Sequence, residues 1–340
     1  MENIKYIKNT LQQKGFNEET INYILKYVKM NQKLFGNSLN INKLMERLLN
    51  NLKHDITSFD KNDNLLNRFI KTVTYRGLWE PYDGKISINP IFKAISRFLK
   101  KERIRNTSTI MHELDHCATT EYLIIDEKQK DEYIQQYSDK NKLTNARLQR
   151  FKDRIDKLLQ NYNGILAVSG IHDFRKLMTY GIQTRKLNEG ITAYKQGIYD
   201  EYLGNKSETA YKVEKDVASF ISDIIGKDKL IAMHFNNDYD GIRESFNEKT
   251  GKDLNDLVKE LNKKSYLKTM IFGRLYTRRF SRDIHTYMEN IREEHSSKLG
   301  ERNTDFVPKY QIDHTKAIEN MKENGMQKQQ MINNEYQQTI

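Results

Sequence analysis

Apolar positions recur at helical spacing over most of the chain. Ile21, Ile24, Leu25 and Val28 form one stripe and Leu44, Leu48, Leu49 and Leu52 another, each confined to one face of a 3.6-residue helix. Breaks at Lys14-Gly15, Phe35-Gly36-Asn37 and Lys61-Asn62-Asp63 divide residues 1–70 into short pieces, which predicts a helical N-terminal segment. The texture then changes. Thr72-Val73-Thr74-Tyr75 is β-branched and aromatic, Tyr82-Asp83-Gly84 is a turn signal, and Lys85-Ile86-Ser87-Ile88-Asn89 alternates polar and apolar up to Pro90. This predicts one or two short strands, the second half-buried and, because a proline closes it, at a sheet edge.

From residue 91 the helical pattern returns. Asn106 or Thr107 is placed to cap a helix running through Ile110, Leu114, Cys117 and Ala118. Residues 127–162 are charged with helical spacing, which predicts a solvated helical pair. Residues 187–203 form a further helix, stopped by Gly204-Asn205. Val213, Val217, Phe220, Ile221, Ile224 and Ile225 line a buried helix that ends at Gly226, and amphipathic helices continue over 253–298. Beyond 299 the chain is rich in Gln, Asn and Lys, a tail that is either disordered or a helix needing a partner. Only 3 prolines interrupt this pattern. The expected class is α+β, predominantly α, with a short sheet. Its expected parts are a helical N-terminal segment 1–70, a core 71–240 carrying a helical insertion 123–186, a C-terminal helical segment 241–298 and a polar tail 299–340.

Composition narrows the field. The chain has 340 residues, room for two ordinary domains, and 57 − 46 gives a net charge of +11. Basic residues are interleaved with acidic ones, which favours solubility and argues against nucleic acid as the main ligand. No run approaches the roughly 18–20 apolar residues of a membrane span, and MENIKYIKNT lacks the apolar region of a secretory signal. The single cysteine, Cys117, has no internal disulfide partner. A soluble cytoplasmic protein is expected, or one that leaves the cell by a leaderless route.

The chemistry concentrates in Met111-His112-Glu113-Leu114-Asp115-His116, a His-Glu-x-x-His motif on a predicted helix. At about 100° per residue, His112 and His116 differ by only about 40° around the axis and leave the same face one turn apart. That spacing suits two imidazoles on one zinc ion, with Glu113 placed to reach a metal-bound water. A catalytic zinc takes a third protein ligand and keeps a fourth position open. The metzincin continuation would put Gly and His where Thr119 and Tyr122 stand, so that subclass is excluded. Glu121 lies about 140° around the helix from His116 and points elsewhere. Glu189, in Leu187-Asn188-Glu189-Gly190-Ile191-Thr192-Ala193-Tyr194, is the better candidate. It opens a helix and has Gly190 beside it to permit close helix packing.

These residues resemble the gluzincin peptidases, the thermolysin-like clan, in which the third ligand is a Glu within an Asn-Glu-small-aliphatic-Ser/Thr string on a second helix. The Asn-Glu-Gly-x-Thr-x-Tyr form also resembles zincin-like proteins of Gram-positive bacteria and their mobile elements. The likeness rests on two motifs and the strand before them, covering residues 72–240. It implies a zincin-like core and a zinc-dependent metallopeptidase that hydrolyses peptide or protein substrates through a zinc-activated water. His112, His116 and Glu189 would be the ligands and Glu113 the general base. The family's Asp four residues after the third ligand is Ala193 here, so Asp115, Asp200 or a backbone carbonyl must orient a ligand histidine. The 73-residue gap between His116 and Glu189 is longer than in the thermolysin type, which makes the 123–186 insertion a potential lid. A Tyr-Gly shortly before the third ligand is similar to lethal-factor-type peptidases and marks Tyr180 as the oxyanion donor, with Tyr194, Tyr199 and His234 in reserve.

The other motifs have plainer readings. His172 and His234 read as hydrogen-bonded structural histidines and Cys117 as a small core residue. Trp79 either anchors the strand or lines the cleft. The run Lys100–Arg105 and the pair Arg278-Arg279 read as solvated faces. The alternative function is a zincin-fold helical protein without turnover that binds a protein partner or nucleic acid.

Overall fold

Three helices open the chain: α1 (Glu2–Gln13), α2 (Glu18–Phe35) and α3 (Ile41–Asn51). The structure, a computed structural model, describes residues 2–58, 77–89, 102–124, 127–128, 130–132, 134–135, 144–161, 165–171, 184–205, 211–263 and 266–300. The Asn17 and Asn40 side chains accept from Thr20 N at 2.8 Å and Lys43 N at 3.0 Å, satisfying helix-start donors that would otherwise lack partners. Gly15, at φ 82°, reverses the chain between α1 and α2. Both predicted stripes face inward: Ile21, Ile24, Val28, Leu44, Leu48 and Leu52 are buried, while Leu25 and Leu49 pack half-buried against them.

A three-stranded sheet follows, built from β1 (Thr57–Ser58), β2 (Gly77–Glu80) and β3 (Lys85–Ile88) in the order β1-β3-β2. β2 and β3 are antiparallel, with Gly77 opposite Ile88 and Glu80 opposite Lys85, and β1 runs parallel to β3 on its other side. The strand expected at the edge therefore lies in the centre. Pro90 falls beyond Ile88, the last paired residue, and so removes no ladder donor. Among the described residues the outer strands are β1 and β2, and neither was predicted from alternation. The expected strand at 72–75, the break at 61–63 and most of the 299–340 tail lie outside the described residues.

Helix α4 (Glu102–Thr119) carries the His-Glu-x-x-His motif. It begins at Glu102, so Asn106 and Thr107 lie inside it and do not cap it. Ile110, Met111, Leu114, Cys117 and Ala118 form its buried side. Thr119 and Thr120 donate their hydroxyls back to the carbonyls of Asp115 and His116, at 2.8 and 2.7 Å, and close the last turn. The chain then enters β4 (Thr120–Ile124), antiparallel to β5 (Ile165–Ser169), with α5 (Asn145–Asn161) between them in sequence. Within the expected helical insertion 123–186, α5 is helical and Ile165–Ser169 is a strand. Ile165-Leu166-Ala167-Val168 is a short apolar run with β-branched ends, and periodicity alone does not separate such a run from a helix turn.

The remaining helices are α6 (Arg185–Tyr202), α7 (Lys212–Ile225), α8 (Lys227–Phe235), α9 (Tyr239–Thr250), α10 (Leu254–Asn262) and α11 (Tyr266–Gly300). The expected stops at residue 203 and Gly226 stand within a residue of the observed ends. A Cβ on Gly190 would collide with the backbone carbonyl of Glu214, so glycine sets how closely α6 approaches α7.

Two apolar cores result. The first joins α1, α2, α3, Trp79, β3 and the buried side of α4 to Tyr199, Ile231 and Phe235. The second gathers Leu187 and Ile191 with α7, α9, α10 and part of α11. Helix α6 contributes to both. Residues Met1–Arg292 form one compact unit that contains the boundaries expected near 70 and 240, and the second unit is Glu293–Ile340, of which 293–300 are described and helical. No helix among the described residues is long and apolar enough to cross a membrane.

Polar ties fasten the first core. Asn51 Nδ2 donates to the carbonyls of Cys117 (2.8 Å) and Thr120 (2.9 Å), and Arg47 donates to Phe235 O (2.6 Å) while pairing with Glu121. Asp115 accepts from Tyr27 Oη at 2.8 Å and from Lys195 Nζ, and both ions of that pair are wholly buried. Burial alone would raise the Asp115 pKa, but the charges of Lys195 and His234 and two hydrogen bonds outweigh it and hold the pKa below its ordinary value. Lys195→Met strands a buried carboxylate and is expected to destabilise the fold by about 3–5 kcal/mol. Urea denaturation checks this, and Asp115→Leu combined with Lys195→Met should lose less than the single change.

Candidate metal centre

Helices α4 and α6 run antiparallel and face each other with two polar stripes. On α4 the stripe is Ser108, His112 and His116, spaced four and four. On α6 it is Glu189, Gln196 and Asp200, spaced seven and four. Both spacings hold one helix face.

The ends of the stripes converge. His112 Nε2 and His116 Nε2 lie 3.2 Å apart, and each is 3.3 Å from Glu189 Oε2. The three residues form a near-equilateral triangle of donor atoms that could hold a metal ion. Both histidines are buried, and the Glu189 side chain is 14% exposed. Burial raises the Glu189 pKa, but the imidazoles of His116 and His112 beside it prevail and hold it well below the ordinary carboxylate value.

Glu113 lies beside this triangle under the edge strand. Its carboxylate accepts the backbone N–H of Trp79, which therefore points away from β3. A Cβ on Gly77 would stand 2.9 Å from Glu113 Oε1 and 2.8 Å from Thr109 Cγ2, so glycine lets the strand lie against the carboxylate. Trp79 anchors this strand, with Nε1 donating to Thr120 Oγ1 at 3.0 Å. Burial lifts Glu113 to about 7; the His112 charge and the Trp79 N–H work against that rise, and the Glu189 charge adds to it. Two neighbouring carboxyls are thus driven in opposite directions, Glu189 toward a lasting negative charge and Glu113 toward neutrality.

A second layer of residues holds His112. Its Nδ1 lies 3.2 Å from Gln196 Oε1, Gln196 Nε2 donates to Ser108 Oγ at 2.6 Å, and Ser108 donates to Asp200 Oδ2 at 2.9 Å. The Tyr211 ring lies parallel to the His112 ring with centroids 5.7 Å apart. Sequence reasoning missed Gln196, Ser108 and Tyr211. The i, i+4 and i, i+7 spacings were the readable signal for the first two. Asp200 contributes through two intermediaries, whereas Asp115 is engaged by Lys195 and Tyr27.

Of the expected oxyanion donors, Tyr180 lies outside the described residues, as does His172. The reserves are engaged elsewhere. Tyr194 pairs with Ser222 at 2.9 Å, Tyr199 donates to Asn31 at 2.9 Å, and His234 Nε2 meets Asn188 Oδ1 at 2.9 Å. Asn188 Oδ1 also accepts from Ile171 N, so the residue before Glu189 pins the chain just after β5. Glu121 points toward Arg47 and Lys43. Cys117 is buried, and burial pushes its thiol far up.

Compared with family models, curated proteins and solved structures, the chain matches none of them.

The triangle predicts one transition-metal ion per chain by elemental analysis. His112→Ala and Glu189→Ala should each reduce that content to near zero.

Proposed function

We propose that this chain is a zinc-dependent peptidase of gluzincin type. The observation that carries this reading is the donor triangle with Glu113 beside it. Tetrahedral bonds of about 2.0–2.1 Å place neighbouring ligand atoms about 3.3–3.4 Å apart, and the three separations here are 3.2, 3.3 and 3.3 Å. Two imidazoles and one carboxylate suit zinc, and three protein ligands leave a fourth position.

Zinc held there supplies Lewis acidity toward water and toward a scissile carbonyl. The rest belongs to the chain. Glu113, with a pKa raised by burial, removes a proton from the attacking water and returns it to the leaving amine. Trp79 N–H fixes the carboxylate during this exchange, and burial limits competing solvent. Among the described residues β2 is an outer strand of its sheet, which supports pairing with an extended peptide. The sequence resemblance points to the same chemistry.

Glu113→Gln retains the shape of the side chain but removes the base. In a digest of a diverse peptide library followed by mass spectrometry, it should cut cleavage by about 10²–10⁴-fold while metal content stays at one ion per chain. Full activity in that variant would sink the assignment, and no cleavage by the wild type would favour the metal-binding protein without turnover. Gly77→Ala should lower kcat with metal content unchanged, since its Cβ displaces the Glu113 carboxylate and not the ligands. Single-turnover kinetics on a cleaved peptide tests this.

A further inference from the structure

The hydrogen bonds behind His112 have a direction. Asp200, as a carboxylate, only accepts, so the Ser108 hydroxyl hydrogen is committed to Asp200 Oδ2. Ser108 Oγ is then left to accept, which turns the NH2 end of Gln196 toward it. The amide has one remaining end, its oxygen, and that end meets His112 Nδ1. An oxygen there requires a hydrogen on Nδ1, which in the neutral ring leaves Nε2 with a bare lone pair. That lone pair is the one aimed at His116 and Glu189.

We propose that Asp200, Ser108 and Gln196 form a one-way relay that assigns the His112 proton to Nδ1 and so readies Nε2 for the metal. All three are positioning residues, and none touches the donor triangle itself except through His112. The ligand role of His112 rests on the function proposed above, but the tautomer assignment does not. The relay also differs in kind from a carboxylate placed directly on Nδ1. A carboxylate draws the imidazole proton toward itself and makes the other nitrogen a stronger donor, whereas a neutral amide orients the ring and adds little basicity. His112 is therefore held in the right tautomer and direction as a moderate donor. The three relay residues are buried, so water does not readily substitute for a missing link.

The test uses the full chain, labelled with ¹⁵N in its histidines and stripped of metal by chelation. Long-range ¹H–¹⁵N correlation spectra, recorded about two pH units above the ordinary imidazole value of ~6.5, read the tautomer of each ring. Wild-type His112 is expected to be Nδ1–H. Gln196→Leu and Ser108→Ala should convert it to Nε2–H or to a mixture, and Asp200→Asn should blur it, because an amide presents either of its ends to Ser108. His234 is the internal control for an intact fold. Its Nε2 donates to Asn188 Oδ1, away from the relay, and it should remain Nε2–H in every variant. Zinc affinity, measured against a competing chromophoric chelator, should weaken by about 10–100-fold in Gln196→Leu and Ser108→Ala. Gln196→Glu, which restores an acceptor at Nδ1, should keep Nδ1–H and bind zinc more tightly than wild type. A wild-type His112 that is Nε2–H overturns the relay, as does an Nδ1–H signal unmoved in both Gln196→Leu and Ser108→Ala. Tautomer shifts as expected in a wild type that takes up no zinc would support the relay and overturn the zinc reading.

Discussion

The register between α4 and α6 is the constraint on which the site depends, and a buried ion pair enforces it. Two histidines come from one helix and the third donor from another. A slip of one turn, about 5.4 Å, would separate them by more than any metal bond can span. Apolar packing favours close contact without specifying that register strongly. The Asp115–Lys195 pair specifies it, because neither ion tolerates burial alone. Tyr27 extends the constraint to α2 through Asp115, and Tyr199 extends it through Asn31. Gly190 brings α6 close to α7 on its other side, so the helix that carries Glu189 is held from two directions.

Charge is distributed to match. Glu189 is held ionised between two imidazoles, and Glu113 is pushed toward neutrality by burial under β2. Both carboxyls come from helices, yet a strand backbone distinguishes them: Trp79 N–H reaches only Glu113. The histidine relay is built largely from neutral groups, with its one formal charge at the far end on Asp200. Burial raises the Asp200 pKa, while the Ser108 hydrogen bond and the Lys215 charge counter the rise.

Much of this was legible in the residues. The four-residue spacing of His112 and His116 fixed their shared face, and Glu189 was picked out beside a small residue, although α6 begins at Arg185 and not at Glu189. The helical stripes of α2, α3 and α7 were equally plain, since burial on one side leaves a 3.6-residue trace. What escaped had physical reasons. β5 is short and apolar, a pattern shared with helix cores. β3 lies centrally because β1 joins it from a distant part of the chain, which local pattern does not encode. Gln196 and Ser108 were not anticipated, because the candidates for orienting a histidine were Asp115, Asp200 or a backbone carbonyl and not a neutral side chain. Neutral groups serve when their directions are fixed by an acid two links away. Tyr211 carries no local signal at all, and only the packing of α7 beside α6 brings its ring onto His112.

The participation of α1–α3 in the first core changes what counts as the smallest working piece of this protein. Their side chains cover the back of α4, Asn51 secures its C-terminal turn, and Tyr27 holds the acid inside the His-Glu-x-x-His motif. A fragment cut at residue 71, where the texture of the sequence shifts, would keep every donor atom of the triangle. It would also bare the apolar side of the helix that carries two of them. The unit to clone, graft or compare is therefore the whole stretch to Arg292, and its opening helices are as much a part of the centre as the histidines.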